Sequence, residues 1–229
     1  MKHVPMPFET EMVQAMLKGG KSSSRFPINV PRGWDLADTK LSKINSSHPK
    51  AGKWGALINR GIGTKFPEHD LITAPCFDGD LIYVRETFAT LHNGTYEESS
   101  PYETGCQEIR YKASERAELA NSTDWEVRGY KWRPSTQMPK HCSRLTLKVT
   151  KVSIQRVTDI TDNEAVLEGM PTVQEAQEAA VKAGLTWYQK PRKWFQAYWC
   201  KRYGQDAWDS SKFVWVIEYE VVQKNILKL

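Results

Sequence analysis

No stretch of this 229-residue chain approaches the roughly 18 uninterrupted apolar residues that a membrane-spanning helix requires. Residues 1–12 hold no basic run followed by an apolar one, so no secretory signal and a cytoplasmic location are expected. Cysteine is scarce: Cys76, Cys106, Cys142 and Cys200 form no C-x-x-C pair and fit no zinc ribbon, so reduced thiols are expected. The histidines (His3, His48, His69, His92 and His141) include no H-x-x-x-H or H-E-x-x-H, and only His141–Cys142 sets two soft ligands side by side. Neither a metal nor a cofactor is expected. Glycine (14) and proline (12) are too few for collagen or a low-complexity chain.

What is present is a chain long enough to bury a core without disulfides or metal. Nine Trp, nine Tyr and seven Phe supply more flat apolar surface than one core needs, which leaves some of it for stacking on a ligand. The net charge of +5 is unevenly spread. Residues 131–156 carry Lys131, Arg133, Lys140, Arg144, Lys148, Lys151 and Arg156 with no acid, and residues 190–202 carry Lys190, Arg192, Lys193, Lys201 and Arg202 with none. Trp132, Trp194, Phe195, Tyr198 and Trp199 are interleaved with them, whereas Glu97–Glu126 is rich in acid. Most charge runs are solvated surface. Acid-free runs with aromatics also suit a nucleotide or an anionic polymer.

Periodicity predicts a helix over Thr10–Lys18, with Met12, Val13, Met16 and Leu17 as its stripe and Gly19-Gly20 as its stop. Residues 28–78 show no sustained period and read as an irregular insertion or a flap over the substrate. Gly79-Asp80 turns into a β-rich run, Leu81–Phe88, and residues 90–124 read as a second insertion with a short strand near Ile109–Ala113. Arg144–Val157 alternates, with Leu145, Leu147 and Val149 on one face, then Val152 and Ile154 after a change of register. Thr161-x-x-Glu164 and Thr172-x-x-Glu175 are capping boxes for helices over Asp162–Glu168, closed by Gly169, and Val173–Ala183, closed by Gly184. Pro191 opens Arg192–Tyr203. In Phe213–Val222, Phe213, Trp215, Ile217, Tyr219 and Val221 face one way and Glu218 and Glu220 the other. Without βαβ alternation the order argues for one α+β domain, 1–229, in which residues 80–88, 144–157 and 213–222 share one curved sheet.

Lys21 and Ser24 stand three apart just beyond the first helix. A serine hydroxyl becomes a nucleophile when a base takes its proton, and a lysine serves as that base if burial lowers its pKa. On spacing alone a solvated Ser-rich turn, with a cation at the helix C-terminus, explains the pair as well. Neither residue is expected in the core.

G-x-K-x-x-S after an N-terminal amphipathic helix, then Gly79–Val84, Glu164–Met170 and the terminal Val214–Tyr219, occur in an order that resembles the ASCH family. Lys131–Pro139, Ser143–Thr146 and Val84–Thr87 are similar to segments of its longer, bacteriophage-type members. The resemblance implies a PUA-like curved antiparallel β-barrel with flanking helices and long insertions, and a host cytoplasm if the chain is phage-encoded. It also implies a chemistry, since small members include an amidohydrolase of N4-acetylcytidine that uses a lysine, a threonine three residues on, and a glutamate. Those positions fall on Lys21, Ser24 and Glu168. The family's arginine lies two after the threonine; here Phe26 holds that place and Arg25 stands one earlier.

Two functions are carried forward. In the first the chain hydrolyses the amide of an acylated pyrimidine nucleoside or base, with Lys21 as base, Ser24 as nucleophile, Glu168 as proton relay, and Arg25, Arg85 and Glu86 binding substrate. In the second it is a nucleic-acid-binding module that reads a base without cutting, through Lys131, Trp132, Arg133 and Arg144. A nucleoside or nucleic acid is the expected partner, with no membrane, and a monomer is expected. A ribonuclease finds no histidine pair or acidic metal cluster to support it.

Overall fold

A computed structural model describes residues 2–45, 47–63, 65, 67–103, 107–182 and 190–229. Its strands are β1 (His3–Pro7), β2 (Ser23–Pro27), β3 (Asp35–Leu36), β4 (Ser42–Lys43), β5 (Trp54–Arg60), β6 (Glu68–Thr73), β7 (Leu81–Arg85), β8 (Phe88–His92), β9 (Gln107–Tyr111), β10 (Thr146–Arg156) and β11 (Phe213–Val222). Helices α1 (Thr10–Leu17), α2 (Ala117–Asn121), α3 (Trp125–Arg128), α4 (Asp162–Leu167), α5 (Val173–Lys182), α6 (Pro191–Tyr203) and α7 (Gln205–Asp209) complete a mixed α+β chain. Among the described residues the strands form three sheets, ordered β1-β7-β10-β11-β2, β3-β5-β4 with β6 on the other edge of β5, and β8-β9; none closes into a barrel. The chain divides into two units, one of Met1–Gly19, Asp80–Lys148 and Glu220–Leu229, the other of Gly20–Gly79 and Val149–Tyr219.

In the first unit β1 runs parallel to β7, pairing His3 with Leu81 through to Pro7 with Arg85. Pro5 and Pro7 are tolerated in β1 because an edge strand has no ladder bond to lose on its open side, and Val4 and Met6 alternate inward. Helix α1 buries Met12, Val13 and Met16 and stops at Gly19, whose φ of 77° only glycine adopts without strain. The expected run Leu81–Phe88 is two strands. β7 pairs with the start of β10, while Phe88 opens β8, which pairs with β9. Phe88 packs with Met138 and Cys142, and Leu91 with Ala89 and Tyr130.

In the second unit β2 and β11 are antiparallel, with Ser23 opposite Glu218, Ser24 opposite Ile217 and Arg25 opposite Val216. Residues 28–78 are not irregular: they hold β3 to β6, with β5 and β6 in register from Gly55–Thr73 to Arg60–Glu68. A side chain at Gly55 would meet the Ile72 carbonyl at 2.3 Å, so glycine is required where β6 crosses it. Helix α6 starts at Pro191 as expected and sinks Phe195 and Trp199 into a cluster with Val157, Ile160, Ala165, Trp208, Val214 and Val216. Those two valines lie on the face of β11 opposite Trp215, Ile217 and Tyr219, so the strand is buried on both faces from Val214 to Ile217. In β10 the exposed pair Thr150-Lys151 marks the expected change of register, between buried Val149 and buried Val152. The capping box of α4 is formed, and Gly169, φ 95°, follows it. The end expected for the next helix, at Ala183 and Gly184, lies outside the described residues, as does Cys106.

Candidate functional site

Three segments of the second unit meet at one cluster of buried polar groups. Lys21 forms an isolated antiparallel bridge with Glu168, and the Ser22 amide donates to the Leu167 carbonyl (3.0 Å), so the chain entering β2 is tied to the end of α4. On its other side the Tyr219 amide donates to the Ser22 carbonyl (2.9 Å). Local signals explain the placement: the Thr161–Glu164 box starts α4 and the left-handed Gly169 ends it, presenting Glu168 to Lys21.

Lys21, Ser24, Arg25 and Glu168 are all buried, which overturns the expectation that Lys21 and Ser24 lie outside the core. Lys21 Nζ donates to the Ser23 carbonyl (2.7 Å), the Glu168 carbonyl (2.6 Å) and Glu168 Oε2 (3.1 Å). Glu168 Oε1 accepts from Arg25 Nη1 at 2.9 Å, so one carboxylate bridges both cations. Arg25 Nη2 donates to Gln155 Oε1 (2.9 Å) and lies 3.2 Å from Glu164 Oε1, and its guanidinium lies over the Phe195 ring. Among the described residues the Arg25 Nε is buried without a hydrogen-bond partner. Two cations thus face two carboxylates. Burial pushes the Lys21 ammonium below its usual pKa, the Glu168 charge and hydrogen bond pull it back, and Arg25 and Arg202 push it down further, for a net lowering.

Ser24 does not join Lys21 directly. Its Oγ lies 2.7 Å from Tyr219 Oη, and among the described residues no hydrogen bond links it to Lys21 Nζ. The two are joined through the Ser23 carbonyl, which also accepts from Tyr219 Oη at 3.2 Å. The pleat explains this: Ser24 shares a face of the sheet with Ile217 and Tyr219, and Arg25 shares the other with Val216. In the sequence Tyr219 reads only as a core aromatic of β11. The signal for more is its hydroxyl, which needs a partner once the ring is buried. Gln155 and Glu164 likewise enter the site unannounced, since Glu164 reads in sequence only as a helix cap.

The other expected residues lie in the first unit and are engaged there. Arg144 grips Glu86 with two parallel bonds, Nε to Oε1 and Nη2 to Oε2, both 2.9 Å, while Nη1 donates to Ser114 Oγ (2.7 Å) and the guanidinium lies 4.1 Å from the Tyr111 ring centroid. Burial raises the Glu86 pKa against the pull of Arg144. Arg85 Nε donates to the Ser135 carbonyl (3.0 Å). Lys131 is exposed, with Nζ 4.6 Å from the Trp125 ring centroid and its amide on Glu98 Oε1 (2.7 Å). Arg133 Nη2 donates to the Ser99 carbonyl (3.2 Å) and lies 3.9 Å from Glu98 Oε2. Trp132 packs edge-on to Tyr130 beneath Arg128. A stretch free of acid in sequence is therefore not free of it in space: Glu86 and Glu98 sit among its cations.

Among the described residues no group of three His, Cys, Asp or Glu stands close enough to hold a metal, and no helix is long and apolar enough to cross a membrane. No protein family, curated protein or solved structure matches the chain.

Proposed function

We propose that the chain is a hydrolase of the ASCH type, with the PUA-like arrangement that the resemblance implies, acting on the amide of an acylated pyrimidine nucleoside or base such as N4-acetylcytidine. The observation that carries this reading is the buried Lys21–Glu168 pair at 3.1 Å, with Arg25 on the other carboxylate oxygen. Burial, with the Arg25 charge, makes the lysine proton easier to release against the pull of Glu168, and the Glu168 carboxylate gives it an acceptor at once. Ser24 Oγ attacks the acyl carbon and Lys21 takes its proton. For that, Lys21 must be neutral and must leave the Ser23 carbonyl, because a nitrogen serving three acceptors has no lone pair to offer. Glu168 passes the proton on to the departing amine, and Arg25 holds Glu168 in place. The reading draws on the second unit alone.

Acetate release from N4-acetylcytidine and other N4-acylated cytidines, followed across pH, tests it. Turnover should rise with pH through the lowered Lys21 pKa and be lost in Lys21→Ala. No turnover on any of them would refute the reading. A second reading, a module that reads a nucleobase without cutting, is favoured by one observation: the Ser24 hydroxyl rests on Tyr219 and not on the lysine that would activate it.

A further inference from the structure

We infer that Tyr219 is a positioning residue for Ser24: its phenol, shared between Ser24 Oγ and the Ser23 carbonyl, supplies a hydrogen bond that follows Oγ through acyl transfer. This rests on the hydrolase reading. The geometry is specific. Tyr219 is 3% exposed, its main chain is pinned by the bond to the Ser22 carbonyl, and its Oη stands 2.7 Å from Ser24 Oγ and 3.2 Å from Ser23 O. A phenol has one proton for these two acceptors. With the proton on Ser23 O, Ser24 donates to Tyr219 and its hydroxyl is held in a single direction. With the proton on Ser24 Oγ, Ser23 O is left to Lys21 Nζ, which stands 2.7 Å away at rest and can return once the lysine has taken the serine's proton, so no buried carbonyl is orphaned. The proton can change acceptors without leaving a polar group unpaired.

That freedom matches what acyl transfer demands of a neighbour. As Oγ bonds to the acyl carbon, the carbonyl π pair moves onto its own oxygen and the Oγ proton passes to neutral Lys21. The phenol then turns its O–H onto Oγ, which can no longer donate. On collapse the C–N bond breaks and the amine leaves with the proton returned through Glu168. In the second half a water adds its oxygen to the acyl carbon and gives a proton to Lys21. The Oγ–C bond then breaks, Oγ takes that proton back from Lys21, and the phenol returns to Ser23 O. Burial keeps the Tyr219 pKa well above that of a free phenol, so it remains a donor throughout.

The test compares wild type, Tyr219→Phe, Ser24→Ala and the double variant on N4-acetylcytidine. Tyr219→Phe keeps the ring, so its melting temperature should stay within a few degrees of wild type. Its kcat should fall about 10- to 100-fold, the range of a hydrogen bond to a developing charge, with KM little changed. Against Ser24→Ala it should cause no further loss, because it acts only through Ser24. The pH at which kcat rises should not move, since that belongs to Lys21. Wild-type kcat in Tyr219→Phe, or an equal fall with and without Ser24, overturns the inference while the hydrolase reading stands. A wild type that releases no acetate overturns both.

Discussion

Glu168→Gln removes one negative charge and almost no volume, so its effect isolates the electrostatics of the buried cluster. In the wild type Glu168 stands 3.1 Å from Lys21 and 2.9 Å from Arg25, with all three side chains no more than 3% exposed. At an effective dielectric of about 20, each pairing is a gross attraction of roughly 5 kcal/mol, much of it offset by the desolvation of the charges. Arg25 keeps Glu164 at 3.2 Å, so Lys21 is the cation left without a counter-charge. Breaking a buried pair in this way costs about 3–5 kcal/mol. At about 2–4 °C per kcal/mol for a chain of this size, the melting temperature should fall by roughly 6–20 °C. The loss should also depend on pH. Without Glu168 the groups that raise the Lys21 pKa are gone, so it falls further below its unfolded value of about 10.4. Between the variant's pKa and the wild type's, the folded variant has shed a proton that its unfolded chain still binds. Its stability therefore climbs more steeply with pH, and the deficit narrows. Thermal and urea unfolding of both proteins from about pH 6 to 10 measures this. A loss below about 1 kcal/mol, or one that stays constant over that range, would refute the argument.

Lys21→Ala and Ser24→Ala should each reduce turnover by a large factor, about 10²-fold or more, and the double variant by little more, since parts of one catalytic unit are not additive; additive losses in acetate release would separate the two residues. Arg144→Glu should destabilise the fold by about 3–5 kcal/mol in urea unfolding, because it strands the buried Glu86. Reversing the exposed Lys131 should leave unfolding unchanged and, if the chain binds single-stranded nucleic acid, lessen the salt slope by about 0.7 for each phosphate no longer neutralised. Burial holds the Cys142 thiol up at about 11, so mass-mapped alkylation of the native protein at about pH 8 should leave it largely unmodified, and rapid labelling there would contradict its burial.

The elements legible in the sequence are those written in local signals. Helix α1 ends at Gly19, α4 opens on its capping box, α6 begins at Pro191, and β10 changes register where two polar residues adjoin. The elements that are not legible owe their conformation to partners far along the chain. β2, with the sequence SSRFP, reads as a turn until β11 lies against it, and Ser24 and Tyr219 are 195 residues apart. β1 carries two prolines that only an edge position forgives. The same division runs through the site. Lys21, Ser24 and Glu168 are marked by the order of motifs, whereas the pleat that sends Ser24 to Tyr219 and Arg25 to Glu168 exists only once the strands are paired.

Glu164 serves two structures with its two oxygens. Oε2 accepts from the Thr161 amide (2.8 Å) and hydroxyl (2.9 Å), closing the first turn of α4, while Oε1 faces Arg25 and accepts from Gln155 Nε2 (3.2 Å). Fraying of that turn therefore takes one of Arg25's side-chain partners with it, while Glu168 and Gln155 stay on the guanidinium. Partial burial pushes the Glu164 carboxyl up, but its bonds to Thr161 and Gln155 and the charge of Arg25 hold it below its usual pKa. The helix start and the Glu164–Arg25 contact should then weaken together as acid carries the solution down through that lowered value. An anion that drew Arg25 away would tug at the same joint, so amide exchange over the first turn of α4 becomes a gauge of what occupies the cluster, readable without any turnover at all.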